Sequence, residues 1–575
     1  MASRHSAAGH GSRLMKASIS SASSLVGLQL FSRGFTFILN QALFRLASPQ
    51  VFGTAAIQFE LVLSTILFLS REGVRNALLR AWPSPDEPNS TKLTSVDTVK
   101  STNLASVPAL IGLPVAITTV CLYGYAASAD TQSQPRFRPA LWIYALAAVG
   151  ELCSEPMHNR AMGEVRTHIR VRAEGLGITC KTIITYVALL YDSKQGHYAG
   201  THALEAFALG QLTYSTVVFA VYVIHFGWPS LWPKRLQHRS LLEANQGMWK
   251  TTISAYFDPT ILQLSMTMTS QSVVKHFLTE GDKLIVSWWS PLQDQGGYAI
   301  AVNYGSLVAR IILQPVEEIC RVFFSKVLSS SNTSAAAPSR ARSGVDASAM
   351  QQASEALMTL LSVQLVFSFL VVTFGSLYLP IFLNMLLPRQ YISTSAPGVL
   401  SAWIWYIPFL AINGGLEAFF SSVATPKDLN RQSRWLIVFS AIYLLAAITL
   451  YNLHFGDTSL VYANIINLTA RIGYVLNFAS SYFKGHERAY QLAWRTLMPT
   501  WQFIAVSVMS LFAISCNGRR IDVMDIVATA GRKALLSSAV AMHVALGAGL
   551  GILSIATWWT TAGNSLISRT RAKTA

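Results

Sequence analysis

The feature that most limits what this chain can become is a succession of apolar windows about 20 residues long, the length that crosses hydrocarbon as an α-helix. They fall near 21–46, 51–71, 104–127, 139–158, 173–191, 203–226, 258–289, 295–325, 353–387, 397–424, 434–452, 458–482, 493–516 and 534–560. Charged residues make up 12% of the chain, against about 25% in soluble proteins. The expectation is an all-α polytopic membrane protein with about 14 transmembrane helices. In a soluble chain a net charge of +17 would point to nucleic acid. Here most basic residues sit in loops on one side, so topology accounts for them and no nucleic-acid partner is expected. The same bias places both termini in the cytosol, with a basic tail at 1–20 and no cleavable signal.

Several spans carry ionisable residues, which are costly in a bilayer unless they are paired, snorkelling or facing a wet cavity. The densest stretch, Gln271 to Val327, holds Lys275, Glu280, Asp282 and Lys283 in one arm and Arg310, Glu317, Glu318 and Arg321 in the other. Asn303, Arg310, Gln314, Glu317 and Arg321 fall on one face of a regular helix, opposite Leu307, Val308, Ile311 and Ile312. That stripe runs roughly 27 Å at 1.5 Å per residue, too long for one interface. Shorter stripes are Arg33 and Asn40 with Arg45 beyond them, Glu60 with Ser64 and Arg71, Asn413 with Glu417, and Asn467 with Arg471. Two readings stand side by side. The stripes can line a common cavity, or pairs such as Glu280–Lys283 and Glu317–Arg321 can neutralise each other along one helix.

RLASPQVFGTAAIQFEL, at the first turn, is echoed by WWSPLQDQGGYAIAVNYGS six spans later. A duplicated six-helix lobe would place it there. The expected organisation is an N-lobe at 21–226, a connector at 227–257, a C-lobe at 258–482 with a disordered loop at 329–348, and two further helices at 483–575. Two six-helix lobes would then surround a central cavity. The five cysteines (Cys121, Cys153, Cys180, Cys320, Cys516) form no metal-ligand or disulfide pattern. No GxxxxGK loop is present, so ATP hydrolysis by this chain is unexpected; no metal and no cofactor are expected.

FSRGFTFILNQALFRLASPQVFG, LFLSREGVRNALL, GELCSEP, HFLTEGDKLIVS, DQGGYAIAVNYGSLVARIILQPVEE and LAINGGLEAFF together resemble the eukaryotic oligosaccharide-lipid translocation proteins. That family lies within the multidrug/oligosaccharidyl-lipid/polysaccharide flippase superfamily. The resemblance implies an endoplasmic reticulum protein of N-glycosylation, not an enzyme, whose partners are dolichyl-diphosphate oligosaccharide and membrane lipids. A monomer is expected. Guanidinium forks suit a diphosphate. Candidate substrate contacts are therefore Arg33, Arg45, Arg71, Arg310 and Arg471, with Asn40, Asn303 and Asn413 for sugar hydroxyls. Glu60, Lys275, Glu280, Asp282, Lys283, Glu317, Glu318, Arg321 and Glu417 are candidate gating or charge-pair residues. A non-transporting accessory protein of the same pathway is the alternative. A membrane glycosyltransferase fits less well, because the lumenal loops are too short to build its site.

The sequons at Asn89 and Asn332 fall on the cytosolic side of this topology and are expected to stay unglycosylated. A mass shift on glycosidase treatment of the full chain would reverse the orientation.

Overall fold

The computed structural model describes residues 37, 40–81, 93–164, 166–195, 200–235, 256–333, 339–484 and 497–563. Among them are ten helices long and apolar enough to cross a membrane and no strand. The fold is all-α, as expected of a multi-pass membrane protein. The fourth, seventh and twelfth predicted spans are also helical, at Phe137–Cys153, Pro259–Thr279 and Thr458–Lys484. Most of the first span lies outside the described residues. The predicted loop at 329–348 is helical on both sides of 334–338, since one helix ends at Thr333 and the next begins at Ser339.

The chain divides into two compact units, Gly34–Ala299 and Ile300–Ala575, the second grouped with residues 1–33. The predicted lobe boundary at 227–257 therefore falls inside the first unit.

In the first unit, Pro49–Gly53, a π turn at Thr54–Phe59 and α1 (Glu60–Ala81) follow one another without a break. Around them stand α2 (Leu93–Ala126), α3 (Phe137–Cys153), α4 (Glu155–Gly163), α5 (Thr167–Ser193), α6 (Ala203–Phe226), α7 (Pro259–Thr279), α8 (Gly281–Trp289) and the first turns of α9 (Leu292–Val308). Phe59 at the end of the π turn and one apolar face of α1 (Val62, Leu63, Ile66) are buried against Val120 of α2 and Phe137, Leu141 and Tyr144 of α3. Phe59 and Tyr144 have ring centroids 4.9 Å apart, a spacing that adds about 0.5–1.5 kcal/mol beyond area burial.

Two devices draw residues 256–299 into this unit. The wholly buried Asn103 of α2 donates to the carbonyls of Lys234 and Tyr256, both at 2.6 Å, and accepts from the Lys234 amide at 2.7 Å. One amide thus ties both ends of the connector to α2. The second device is close approach: a Cβ on Gly73 of α1 would run into the backbone of Thr269 on α7. Small residues at such crossings let backbones meet.

The two echoed Ser-Pro turns meet in the same unit. A Cβ on Gly53 would lie 2.6 Å from the Gly296 amide nitrogen, and one on Gly296 would strike the Pro49 carbonyl. Beneath this crossing the buried Gln58 donates to Gln295 at 2.8 Å and accepts from the Tyr123 hydroxyl at 2.5 Å.

The second unit contains the remainder of α9, a π turn at Ala309–Leu313, α10 (Gln314–Thr333), α11 (Ser339–Leu386), α12 (Ala396–Val423), α13 (Pro426–Leu450), α14 (Thr458–Lys484), α15 (Trp501–Ile521), α16 (Val523–Ala530) and α17 (Ser538–Trp558). Its main core joins Phe324, Leu357, Leu361, Leu416, Phe419, Phe420 and Phe483. The last two long helices dock on α11, where Tyr378 donates to the His543 carbonyl at 2.7 Å and lies against Gly547.

Gly296→Ala is expected to destabilise the chain by about 1–3 kcal/mol, the usual effect of overpacking. Gly175→Ala, on open space in α5, should be neutral or slightly stabilising. Thermal unfolding of the detergent-solubilised chain reads both; equal midpoints would remove the crossing from the fold's requirements.

Candidate functional site

The first unit holds a half-open cavity of about 380 Å³. Its long wall is α1, which contributes Glu60, Leu63, Ser64, Leu67, Phe68, Arg71, Glu72 and Arg75. Those positions recur every three or four residues and make one helical stripe about four turns long. The predicted face of Glu60, Ser64 and Arg71 is therefore a cavity wall. The other walls are Glu151 of α3, Ile178 and Lys181 of α5, Gln211 and Tyr214 of α6, and His276 of α7, with Glu280 just beyond.

The charges at one end are arranged in a buried network. Arg71 donates to Glu151 at 2.6 Å and reaches Glu155 at 3.3 Å. Arg75 holds Glu155 with a two-point fork, Nε to Oε2 at 2.9 Å and Nη2 to Oε1 at 2.6 Å. Glu155 is 1% exposed at the side chain and also accepts from Asn159 at 3.2 Å. The local sequence explains the geometry. Arg71 and Arg75 are one turn apart on α1. Glu151 and Glu155 are four residues apart across a break at Ser154, where Pro156 starts α4. Two cations thus face two carboxylates, and the network is neutral.

At the other end, Glu280 caps the end of α7 and pairs with Lys283 at 2.8 Å. The seventh span breaks there, beside Gly281. His276 stacks on Phe68, with centroids 4.5 Å apart, and its ring bonds Thr65 at 3.0 Å. Glu60 takes part in no ion pair among the described residues, and Glu72 has one weak contact, from Asn76 at 3.4 Å. Lys181 donates to Gln211 at 2.5 Å.

The remaining candidates lie elsewhere. Arg33 and the Lys275 side chain are outside the described residues. Asn40 is partly buried and Arg45 exposed, both outside the cavity lining. Asp282, on α8, is partly buried and also outside it. In the second unit Arg310 sits in the π turn and donates back to the carbonyls of Asn303, at 2.9 Å, and Ser306, at 3.4 Å. That turn adds a residue and shifts the helical phase by about 100°, so the long predicted stripe is not one continuous face. Arg321 pairs with Glu317 at 2.7 Å and Glu318 is exposed. Arg471 pairs with Glu417 at 2.8 Å, and Gln432 donates to the same carboxylate at 3.2 Å. Asn413 is buried one turn before Glu417.

Sequence reasoning picked Arg71, Glu60 and Glu280 from this cavity and missed Arg75, Glu151, Glu155 and Lys181. Signals for three of them were present. LFLSREGVRNALL spaces Arg71 and Arg75 by one turn, and GELCSEP spaces the two glutamates likewise. Lys181, alone in an otherwise apolar run, gave no pattern.

A family model described as Rft protein matches residues 17–567. The chain belongs to the Rft protein family. Among curated proteins it resembles the "Man(5)GlcNAc(2)-PP-dolichol translocation protein RFT1" of Yarrowia lipolytica, with 34% identity covering 87% of this chain and 75% of that one. The protein of the same name from Saccharomyces cerevisiae is 30% identical, covering 82% and 84%. Among solved structures the fold matches the lipid II flippase MurJ in an inward closed conformation, at TM-score 0.55 and 14% identity, covering 93% of this chain and 99% of that one.

Removing one partner of a buried ion pair costs about 3–5 kcal/mol, because the other charge is stranded. Glu155→Leu is expected to destabilise by that much. Glu155→Leu combined with Arg75→Leu should cost less than the two single changes together. A thermal-unfolding cycle in detergent checks this; strict additivity would dissolve the network.

Proposed function

We propose that this chain is an intramembrane glycolipid transporter of the endoplasmic reticulum. It moves dolichyl-diphosphate Man(5)GlcNAc(2) from the cytosolic to the lumenal leaflet in support of N-glycosylation. The observation that carries this reading is a charged cavity inside an apolar helical unit, in a chain whose curated relatives are named for that lipid.

The chemistry of the lining suits such a head group. Sugar hydroxyls donate hydrogen bonds, and Glu60 and Glu72 offer carboxylate acceptors that form no ion pair among the described residues. Phe68, Tyr214 and His276 supply flat ring surfaces. At the Arg71–Arg75 end the guanidinium groups are already paired with Glu151 and Glu155 and hold the walls of the cavity together. With both termini in the cytosol, α1 descends from lumen to cytosol, so its arginine end lies toward the cytosolic leaflet, where the substrate starts. Alternating exposure of the cavity to the two leaflets would complete transport, without ATP hydrolysis by this chain.

The volume of about 380 Å³ lies at the small end of pockets that hold drug-sized ligands. It suits a diphosphate and its first sugar, not the whole glycan. That observation favours, as a second reading, a protein that holds the lipid head group without carrying it across.

Purified chain in liposomes is expected to speed transbilayer movement of the dolichol-linked oligosaccharide. Glu60→Ala with Glu72→Ala should slow it about tenfold or more, the effect of losing hydrogen bonds to charged groups, with the melting temperature unchanged. Movement at the protein-free rate, from protein that restores glycosylation in cells, would favour the second reading.

A further inference from the structure

The cations around the cavity are not equivalent. Arg71 and Arg75 are neutralised by Glu151 and Glu155, and Lys283 by Glu280. Lys181 differs. It lies well inside a membrane-spanning helix, His168–Ser193, and its ammonium has a neutral amide, Gln211, as its hydrogen-bond partner. No carboxylate lies within ion-pair distance of it among the described residues. An ammonium carries three donors, so two remain. Gln211 is 3% exposed, accepts through its carbonyl oxygen and carries an NH₂ donor group on the same amide.

The packing of α5 on α6 fixes this arrangement. A Cβ on Gly177 would lie 2.8 Å from the Tyr214 ring, and one on Gly210 would run into the Thr185 hydroxyl. Thr185 in turn donates to the Lys181 carbonyl at 2.8 Å. The two helices meet closely on both sides of Lys181, and Lys181, Gln211 and Tyr214 reach the cavity together. An unneutralised ammonium in an apolar span is unfavourable unless water or an anion faces it. Here the donors are the two remaining ammonium N–H groups, beside an amide that lines the same cavity. Glu72, on the facing wall, disfavours a bare anion, but it is a good acceptor for a sugar hydroxyl joined to one.

We propose that Lys181 and Gln211 form the diphosphate site of the cavity. Arg71 and Arg75 are then positioning residues that hold α3 and α4 against α1. The ligand class is a phosphate ester or diphosphate whose other substituent is a sugar. The assignment rests on the transport reading for its substrate, but binding tests it without transport.

The test is equilibrium binding of polyprenyl diphosphate lacking any glycan to the purified full chain in detergent, at several salt concentrations. Inorganic pyrophosphate serves as a second ligand that separates a lipid-headgroup site from a general phosphate site. Lys181→Gln is expected to weaken binding of whichever ligand the wild type holds by about ten- to a hundredfold, the usual range for a charge-assisted bond. It should also flatten the salt dependence. Lys181→Arg should restore most of the affinity. Gln211→Glu keeps the side-chain shape and supplies Lys181 with a carboxylate, so it should fold normally and still lose binding. Undiminished binding by Lys181→Gln and Gln211→Glu overturns the Lys181 site and leaves the transport reading standing. A wild-type chain that binds no diphosphate lipid overturns both.

Discussion

The buried carboxylate of Glu155 is the point on which the first unit turns. A charge in an apolar bundle is tolerated only when its field is cancelled locally and its lone pairs are filled. Arg75 does both with a two-point fork, and Arg71 joins Glu155 to Glu151. Because these residues come from α1, α3 and α4, neutralising the charge also fixes the angle at which α3 breaks into α4. The break at Ser154 therefore appears as part of the charge network, with Pro156 marking where the new helix starts. Any ligand anion at this end meets guanidinium groups already committed to carboxylates. That moves the burden of anion recognition to a cation on another wall.

Small residues decide where those walls stand. Gly73 lets α7 lie directly on α1, which carries His276 onto Phe68 and gives the cavity its third side. Gly177 and Gly210 do the same for α5 and α6. The Gly53–Gly296 crossing seats the beginning of α9 in the first unit. In lipid, where apolar side chains gain little by leaving their solvent, close backbone approach and hydrogen bonding supply much of the drive for helix association. Gln58 and Gln295, buried below that crossing, combine both effects at one place.

The second unit treats its charges differently. Arg471 is held by Glu417, Arg321 by Glu317, and Arg310 by carbonyls of its own helix. The Glu317–Arg321 pair is four residues apart on one helix, whereas the Glu417–Arg471 pair joins α12 to α14. The π turn at Ala309–Leu313 is the reason a stripe drawn on a regular helix failed as a single surface, since one inserted residue rotates everything after it. The second unit thus pairs these charges in twos, whereas the first joins Arg71, Arg75, Glu151 and Glu155 in one network across three helices.

Span by span, the sequence determined the all-α membrane fold, because about 20 apolar residues crossing hydrocarbon must satisfy their own backbone as a helix. It also identified Arg71, Glu60 and Glu280 as residues needing a polar surrounding, and its motifs pointed to the Rft protein family. Tertiary structure alone decided which charges meet. Arg75, Glu151 and Glu155 become one site only when α1 and the α3–α4 break pack together, and residues some 80 positions apart have no periodicity that links them. It also groups residues 256–299 with the first unit, where Asn103 and Gly73 bind α2 and α1 to the residues beyond the connector. Lys181 is the clearest case. In the sequence it is one lysine in an apolar run; that no carboxylate lies within ion-pair distance of it among the described residues depends on what each neighbouring helix places beside it.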